Sequence, residues 1–223
     1  NKARQPERWR ELCGCCGYLG IGVLATSKTG LEGVNLKTRA QNPAAWSGSV
    51  DRIAEILAEQ KPRVILFPHD KDWNSTHIGT HYLVADALAK LGSGLSCYTV
   101  ETEYWAPMDD PNLMVESTPQ DVADLVAAMS FHVEEVRRNP YHTRQPAWMM
   151  DNVRRGGELV GGQGGAAPTF TFATLYRLRR WQGGQFESVL PAGNFVPAAE
   201  IIQALFPLPS PPLSEPRPPL AAT

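Results

Sequence analysis

The segment LFPHDKDWNSTHIGTHYLV, from Leu66 to Val84, decides the expected fold because it joins two elements of different kinds. The run RVILF (63–67) that leads into it is typical of a strand buried on both faces of a parallel sheet. A helix is predicted from His77 to Leu91 by its apolar periodicity. Ligands of open α/β sheets bind where the strands end. The polar residues of this join therefore mark a candidate site, and a solvated polar loop is the alternative.

The remaining pattern alternates helices and strands, which predicts an α/β fold with a Rossmann-like, mostly parallel sheet and flanking helices. The chain opens on a helix, whereas a parallel crossover needs a strand before its helix, so a first strand is apparently missing. The alternation in PTFTFATLYRLRRW (168–181) predicts a C-terminal antiparallel strand. We predict further helices at Pro6 to Gly20, Ser47 to Glu59 (capped by Ser47), Pro119 to Arg138 and 149–162, strands at 21–26, 95–105 and within 106–117, and loops at 26–44 and 139–148.

Composition and charge exclude several classes of protein. The 223 residues are 43% hydrophobic and 20% charged, which is ordinary for a globular domain, and the net charge of −2 argues against nucleic-acid binding. No apolar run approaches the roughly 20 residues that cross a bilayer. We expect Cys13, Cys15, Cys16 and Cys97 to pack in the core, and the absence of a disulfide pattern or signal peptide favours the cytoplasm. One domain is expected over 1–205, followed by a Pro-rich, disordered tail over 206–223.

Several side chains of the join carry useful chemistry. Neutral imidazole is a standard zinc ligand, and the start of a helix would hold His77 rigidly. Asn74 offers an amide donor of the kind that steadies an oxyanion, and Asp72 could orient the loop or a neighbouring histidine. Trp73 presents a flat apolar face of the sort that sugars pack on. His81 shares the helix face of His77, but an exposed or capping role for it is favoured over metal ligation.

A set of segments in order resembles the PIG-L/LmbE-like zinc-dependent N-deacetylases. KPRVILFPHDKDWNSTHIGTH resembles the second motif of that family, in which a strand ends in Pro and a zinc-ligating His opens a helix. The similarity is spread over about Arg8 to Tyr176. The other segments that carry it are ERWRELCGCCGYLGI, ETEYWAPMDDPNLMVE, AAMSFHVEEVRRNPY and RRGGELVGGQGG.

The resemblance implies roles for residues outside the join. Arg8 matches an Arg near the substrate, and its alternative is a surface salt bridge with Glu7 or Glu11. Glu103 and Trp105 match the pocket wall, with a core Trp as the alternative. His132 matches a helix His that lines or braces the pocket, with a buried structural His as the alternative.

The chain also departs from the family pattern. Asn74 and Thr76 stand where the family has a His and an Asp, which changes how the reaction's oxyanion would be stabilised. The His-Pro-Asp-Asp stretch that supplies two zinc ligands and the catalytic base does not occur in these 223 residues.

The leading hypothesis is therefore zinc-dependent removal of an N-acetyl group from an amino sugar or glycoconjugate, with acetate released. In this hypothesis His77 is the metal ligand, Asp72, Asn74 and His132 are the catalytic candidates, and Arg8, Trp73, Glu103 and Trp105 bind the substrate. The first alternative is a non-catalytic, metal-free homologue that binds a glycan, with Trp73, Trp105 and Trp148 forming a wall on which the sugar stacks. The second is an unrelated α/β domain that binds a small ligand at the same join.

Overall fold

The computed structural model describes residues 6–207, which form seven α-helices and six β-strands within that range. Several of the helices begin at side chains that cap their first turn. Asn42 caps α3 by accepting a hydrogen bond from Ala45 N, and Thr118 and Asp121 form a reciprocal capping box at α5. The elements are α1 Pro6–Tyr18, α2 Leu36–Gln41, α3 Pro43–Gln60, β1 Val64–Pro68, α4 Ser75–Leu91, β2 Cys97–Thr102, β3 Leu113–Ser117, α5 Pro119–Met129, α6 Val133–Arg138, α7 Tyr141–Leu159, β4 Phe172–Gln182, β5 Gln185–Ser188 and β6 Asn194–Val196, with short 3₁₀ turns at Gly92–Gly94 and Ile202–Leu205.

The strands form a mixed sheet in the order β1-β2-β4-β3-β6, and β5 pairs with β4. β1 is parallel to β2 and β3 is parallel to β6, whereas β4 is antiparallel to β2, β3 and β5. Five strands therefore run in one direction and β4 runs against them. The α/β fold, the mostly parallel sheet with flanking helices and the antiparallel C-terminal strand are confirmed.

Two core clusters lie on opposite faces of β2, because successive side chains of a strand alternate. Cys97 packs with α3 and α4 residues such as Leu57, Leu83 and Leu88. Tyr98 and the next residues of that face pack instead against the chain near Leu205 and Phe206. Burial raises the pKa of the Cys97 thiol to about 11, so this cysteine behaves as an apolar core residue.

Several local predictions were wrong. Residues 21–26 form no strand, and Ile21 and Leu24 are about half exposed. Within residues 6–207, β1 is an edge strand, paired with β2 alone, and Leu66 is 62% exposed. The expected helix from Pro119 to Arg138 is interrupted after Met129, so His132 precedes α6 instead of lying within a helix.

Other boundaries also shift. Asn42 caps α3, so Ser47 lies inside that helix. α2 lies within the predicted loop 26–44. Most of the predicted loop 139–148 is the first half of α7. Cys13 is exposed and Cys15 and Cys16 are half-buried, so core packing holds for Cys97 alone of the four.

Phe206, assigned to the tail, packs its ring against Tyr98 with centroids 5.3 Å apart. Pro207, also assigned to the tail, accepts a hydrogen bond from the Tyr98 hydroxyl at 3.3 Å, and residues 208–223 lie outside the described residues. None of the helices described between residues 6 and 207 has the length and apolar content that a bilayer span requires.

Candidate functional site

The site is organised around a carboxylate and an imidazole on the loop between β1 and α4. Nδ1 of His77 lies 3.0 Å from Oδ1 of Asp72, whose side chain is fully buried. Because a carboxylate accepts hydrogen bonds, it favours the tautomer in which His77 carries its proton on Nδ1. The Nε2 atom is then left with its lone pair, which is the arrangement found in histidines that bind metal.

Asp72 is held by more than His77. Its Oδ1 accepts a hydrogen bond from Asn74 N at 2.8 Å, and its Oδ2 accepts from Trp105 N at 2.8 Å and Ala106 N at 3.2 Å. Burial by itself would raise the pKa of this carboxyl group, but the backbone donors and His77 outweigh burial and lower it. Asp72 is therefore an ionised positioning residue, with its oxygens already occupied, and is poorly suited to act as a base.

Asn74 caps α4, because its side-chain oxygen accepts a hydrogen bond from Thr76 N at 2.8 Å. The amide oxygen is thereby used in folding the join. Trp73, beside it, is 76% exposed and is not among the residues that line the neighbouring cleft. The prediction that Trp73 contacts the substrate does not agree with this placement.

A cleft of about 890 Å³ opens in front of His77. The ring of Tyr104 packs on the His77 ring, with centroids 4.9 Å apart. Four residues that the leading hypothesis names line this cleft together: His77, Glu103, Trp105 and His132. The other lining residues are Thr102, Tyr104, Leu125, Met129, Glu135, Tyr141, Arg144, Gln145, Trp148, Asn152, Thr174 and Tyr176.

On the α7 side of the cleft the sequence analysis named Trp148 alone and missed the helix that carries it. Tyr141, Gln145, Trp148 and Asn152 recur at intervals of three and four residues, which places them on one face of α7. That spacing was readable, but Pro140 and Pro146 suggested a loop, and the helix includes Pro146. Tyr141 and Trp148 bring aromatic rings to the wall that α7 forms.

Glu103 has a structural role at the cleft wall. Its Oε2 is 2.8 Å from Arg155 Nη2, and its Oε1 accepts a hydrogen bond from Met108 N at 2.6 Å. The Arg155 guanidinium also lies over the ring of Trp148, 5.5 Å from its centroid. Arg155 thereby holds the Trp148 indole in the cleft wall and balances the negative charge of Glu103 with its own positive charge.

Arg8 is not among the residues that line the cleft, but it pairs with one that is. It forms an ion pair with Glu135, which lines the cleft, whereas Glu7 pairs with Arg10. The Glu135 carboxylate, together with smaller effects of Glu11 and Glu134, raises the pKa of Arg8. Arg8 therefore positions a cleft residue.

A second polar cluster lies next to the site. Asp70, His81 and Glu101 bring ligand-type atoms within 4.8 Å of one another, so they form a group that could hold a metal ion. His81 is buried and lies 3.1 Å from the Pro68 carbonyl oxygen through Nδ1, contrary to the exposed or capping role expected from the sequence. Glu101, the fully buried carboxylate of this cluster, was not identified from the sequence.

Two arginines already compensate the charge of that cluster. Arg177 bonds Asp70 at 2.7 Å, Glu101 through Nε at 2.9 Å, and Asp110; Arg179 also pairs with Glu101. A divalent cation placed among these oxygens would face guanidinium groups in a buried setting, where charge repulsion is weakly screened. The cluster is better explained as an ion-pair network that holds β4 to β2.

The surroundings of His77 decide whether a zinc ion fits there. Zinc sites need three or four protein ligands. Across residues 6–207, His77 belongs to no group of three ligand-type side chains that lie close enough to share an ion, so the described residues do not complete a zinc site around it.

No family model and no curated protein sequence matches the chain. Solved structures do resemble it. The conserved protein TT1542 from Thermus thermophilus has a TM-score of 0.50 at 14% identity, over 77% of this chain and 72% of that one. GalB, the 4-carboxy-2-hydroxymuconate hydratase from Pseudomonas putida KT2440, has a TM-score of 0.55 at 16% identity, over 80% of this chain and 73% of that one. At these identities the similarity establishes a shared α/β fold.

Proposed function

We propose that this chain takes part in the hydrolysis of an N-acetyl group on an amino sugar or glycoconjugate, with His77 as its contribution to a zinc site. The observation that carries the proposal is the Asp72–His77 pair, which presents an imidazole to an aromatic cleft. The family resemblance supplies the reaction and the metal, whereas the Rossmann-like interpretation of the sheet and the cytoplasmic location are carried over from the element pattern and the cysteine usage of the sequence. The proposal requires further zinc ligands beside His77, and residues 6–207 do not place a complete set around it.

The cleft suits a sugar better than a densely charged substrate. Tyr104, Trp105, Tyr141 and Trp148 line it, and aromatic rings offer apolar faces with polar edges. The cleft carboxylates of Glu103 and Glu135 are paired with Arg155 and Arg8. The GalB structure bears the name of a hydratase. A substrate rich in carboxylates would require more unpaired cations than the cleft presents.

The test is acetate release from N-acetylglucosamine and its conjugates by the protein with added zinc. His77→Gln should abolish release, whereas His142→Gln should leave it unchanged because His142 is exposed and does not line the cleft. Undiminished release by His77→Gln would refute the assignment of His77. Absence of release from every acetylated sugar would refute the reaction.

A second candidate is a metal-free glycan-binding protein. It is favoured by the finding that, in the range 6–207, no three ligand-type side chains that include His77 lie close enough to share a metal ion. Calorimetry with N-acetylglucosamine oligomers in the presence and absence of a chelator separates the two candidates. Binding that is insensitive to the chelator, with zinc content near zero and no acetate released, would establish the second.

A further inference from the structure

A second carboxylate–imidazole pair reaches the same cleft from its other side. Nδ1 of His132 lies 3.9 Å from Oε2 of Glu11, and the two side chains are 28% and 12% exposed. His132 lines the cleft, and Glu11 lies behind it on α1. Oε2 of Glu11 is buried and accepts no hydrogen bond from the residues described. A buried carboxylate oxygen without a donor is costly, so a nearby donor is expected to serve it.

The nearest suitable donor is the His132 ring. The 3.9 Å separation is longer than a hydrogen bond, and a small rotation of either side chain would close it. The two segments are already held together, because Arg8 of α1 pairs with Glu135 of α6. The helix α1 also packs closely against Phe131, because a Cβ atom added at Gly14 would lie 2.7 Å from Cδ1 of Phe131.

The two pairs differ in what their carboxylates can do. Asp72 accepts three backbone N–H groups as well as His77, so its position and ionisation are fixed. Glu11 has a buried oxygen with no such donors among the described residues. The charged groups that face this oxygen and His132 are Arg8, on the same helix as Glu11, and Glu135, which is paired with Arg8. The Glu11 carboxylate is therefore available to stabilise a charge that forms on His132.

We propose that Glu11 is a positioning residue that keeps the proton of neutral His132 on Nδ1, so that Nε2 faces the cleft as a proton acceptor. This inference rests on the proposed function. In amide hydrolysis, water adds its oxygen to the carbonyl carbon and gives a proton to Nε2 of His132. The same proton passes to the substrate nitrogen as the C–N bond breaks, with the bonding pair remaining on nitrogen. Acetic acid and the free amine leave, His132 returns to its neutral form, and the acid gives its remaining proton to solvent to become acetate.

The first test reads the tautomer directly and requires no substrate. In ¹⁵N-labelled protein at pH 8, the ring nitrogens of His132, assigned by comparison with His132→Gln, should show Nδ1 protonated and Nε2 bare. Glu11→Leu should shift the proton toward Nε2, and Glu11→Gln should keep the wild-type tautomer because its amide oxygen still accepts a hydrogen bond. An Nε2-protonated ring in the wild-type protein would overturn the proposal even if Glu11→Leu fails to fold.

The matched control is Glu134→Leu. Glu134 lies in α6 near His132, but it is 61% exposed and pairs with Arg137. Its replacement should leave the His132 tautomer unchanged, and a change equal to that of Glu11→Leu would overturn the specific role of Glu11. In an acetate-release assay, Glu11→Gln should lower kcat about tenfold or more with little change in KM, since it removes the charge that stabilises the imidazolium. Unchanged kcat would also overturn the proposal, and absence of turnover with the expected tautomer would refute the reaction alone.

Discussion

His77 is oriented by Asp72, through a contact of 3.0 Å between Nδ1 and Oδ1, and Asp72 is itself fixed by backbone N–H groups of the segment after β2. The loop after β1 and the segment after β2 are therefore joined at one buried carboxylate. Because these strands are parallel neighbours, their carboxyl ends lie side by side. The orientation of the candidate ligand thus depends on the pairing of β1 with β2.

Asp72→Asn should lower the free energy of unfolding by about 1–3 kcal/mol, the cost of leaving a buried hydrogen-bonding group unsatisfied. The amide nitrogen of Asn would face N–H groups that now point at a carboxylate oxygen. Urea unfolding measures the change. Asp109→Asn is the control, since the Asp109 side chain is 78% exposed, and it should change stability little. Equal stability of Asp72→Asn and the wild-type protein would contradict the role given to Asp72.

Gly79→Ala should destabilise the protein, although alanine normally favours a helix. A Cβ atom at position 79 would lie 2.6 Å from Cα and 2.7 Å from N of Asn35, and backbone atoms cannot move aside as side-chain tips can. Gly48→Ala in α3 is the matched control, because nothing lies within 4 Å of the position that its added methyl group would take. It should stabilise the protein by about 0.5–1 kcal/mol. Thermal unfolding of the two variants should therefore shift in opposite directions.

The sequence predicted the elements whose signals are local. The apolar run of β1, the periodic helix that became α4 and the alternation in β4 were all identified, and with them the join that carries Asp72 and His77. Residues 21–26 show why the remainder failed. IGVLAT has the composition of a strand, but a strand requires a partner, and pairing is not encoded locally.

The cleft could not be predicted in full for the same reason, because it depends on contacts that the local sequence does not encode. Pro146 made 139–148 look like a loop, whereas the folded chain continues α7 through it and thereby places Trp148 beside Arg155. The network of Glu101 with Arg177 and Arg179 depends on the register of β2 against β4, in which Glu101 lies opposite Arg177. Registers between strands that are distant in sequence could not be read from one sequence.

Trp148→Ala should weaken sugar binding, whereas Trp73→Ala should not. Trp148 lines the cleft under Arg155, but Trp73 is 76% exposed and lies outside the lining. Loss of an aromatic surface that becomes buried by a ligand costs roughly 1.5 kcal/mol or more, or about a tenfold rise in Kd. Calorimetric titration with an N-acetylglucosamine conjugate measures both variants. A larger effect at Trp73 would restore the sequence-based assignment and contradict the structural one.

His81 should make the fold sensitive to mild acid. Burial, the largest cause, lowers the pKa of His81 below its ordinary value of 6.5, although Glu101 and the Pro68 carbonyl oppose this. Below pH 6.5 the unfolded chain therefore binds a proton that the folded protein resists, so acidification favours unfolding. The stabilisation is complete above pH 6.5 and is lost as the pH falls from 6.5 toward the folded pKa, at no more than about 1.4 kcal/mol per pH unit.

Urea unfolding of the wild-type protein and His81→Asn between pH 7.5 and 5.5 isolates this contribution. The lower limit lies above the range in which Asp70 and Asp72 titrate, because the pKa of each is lowered from 3.8. Asn can still donate a hydrogen bond from its amide to the Pro68 carbonyl, which His81 now contacts at 3.1 Å. The stability of the wild-type protein should fall more steeply with decreasing pH than that of the variant. Parallel curves would mean that His81 is protonated equally easily in the folded and unfolded chains, and that the buried network around Glu101 accommodates the additional charge.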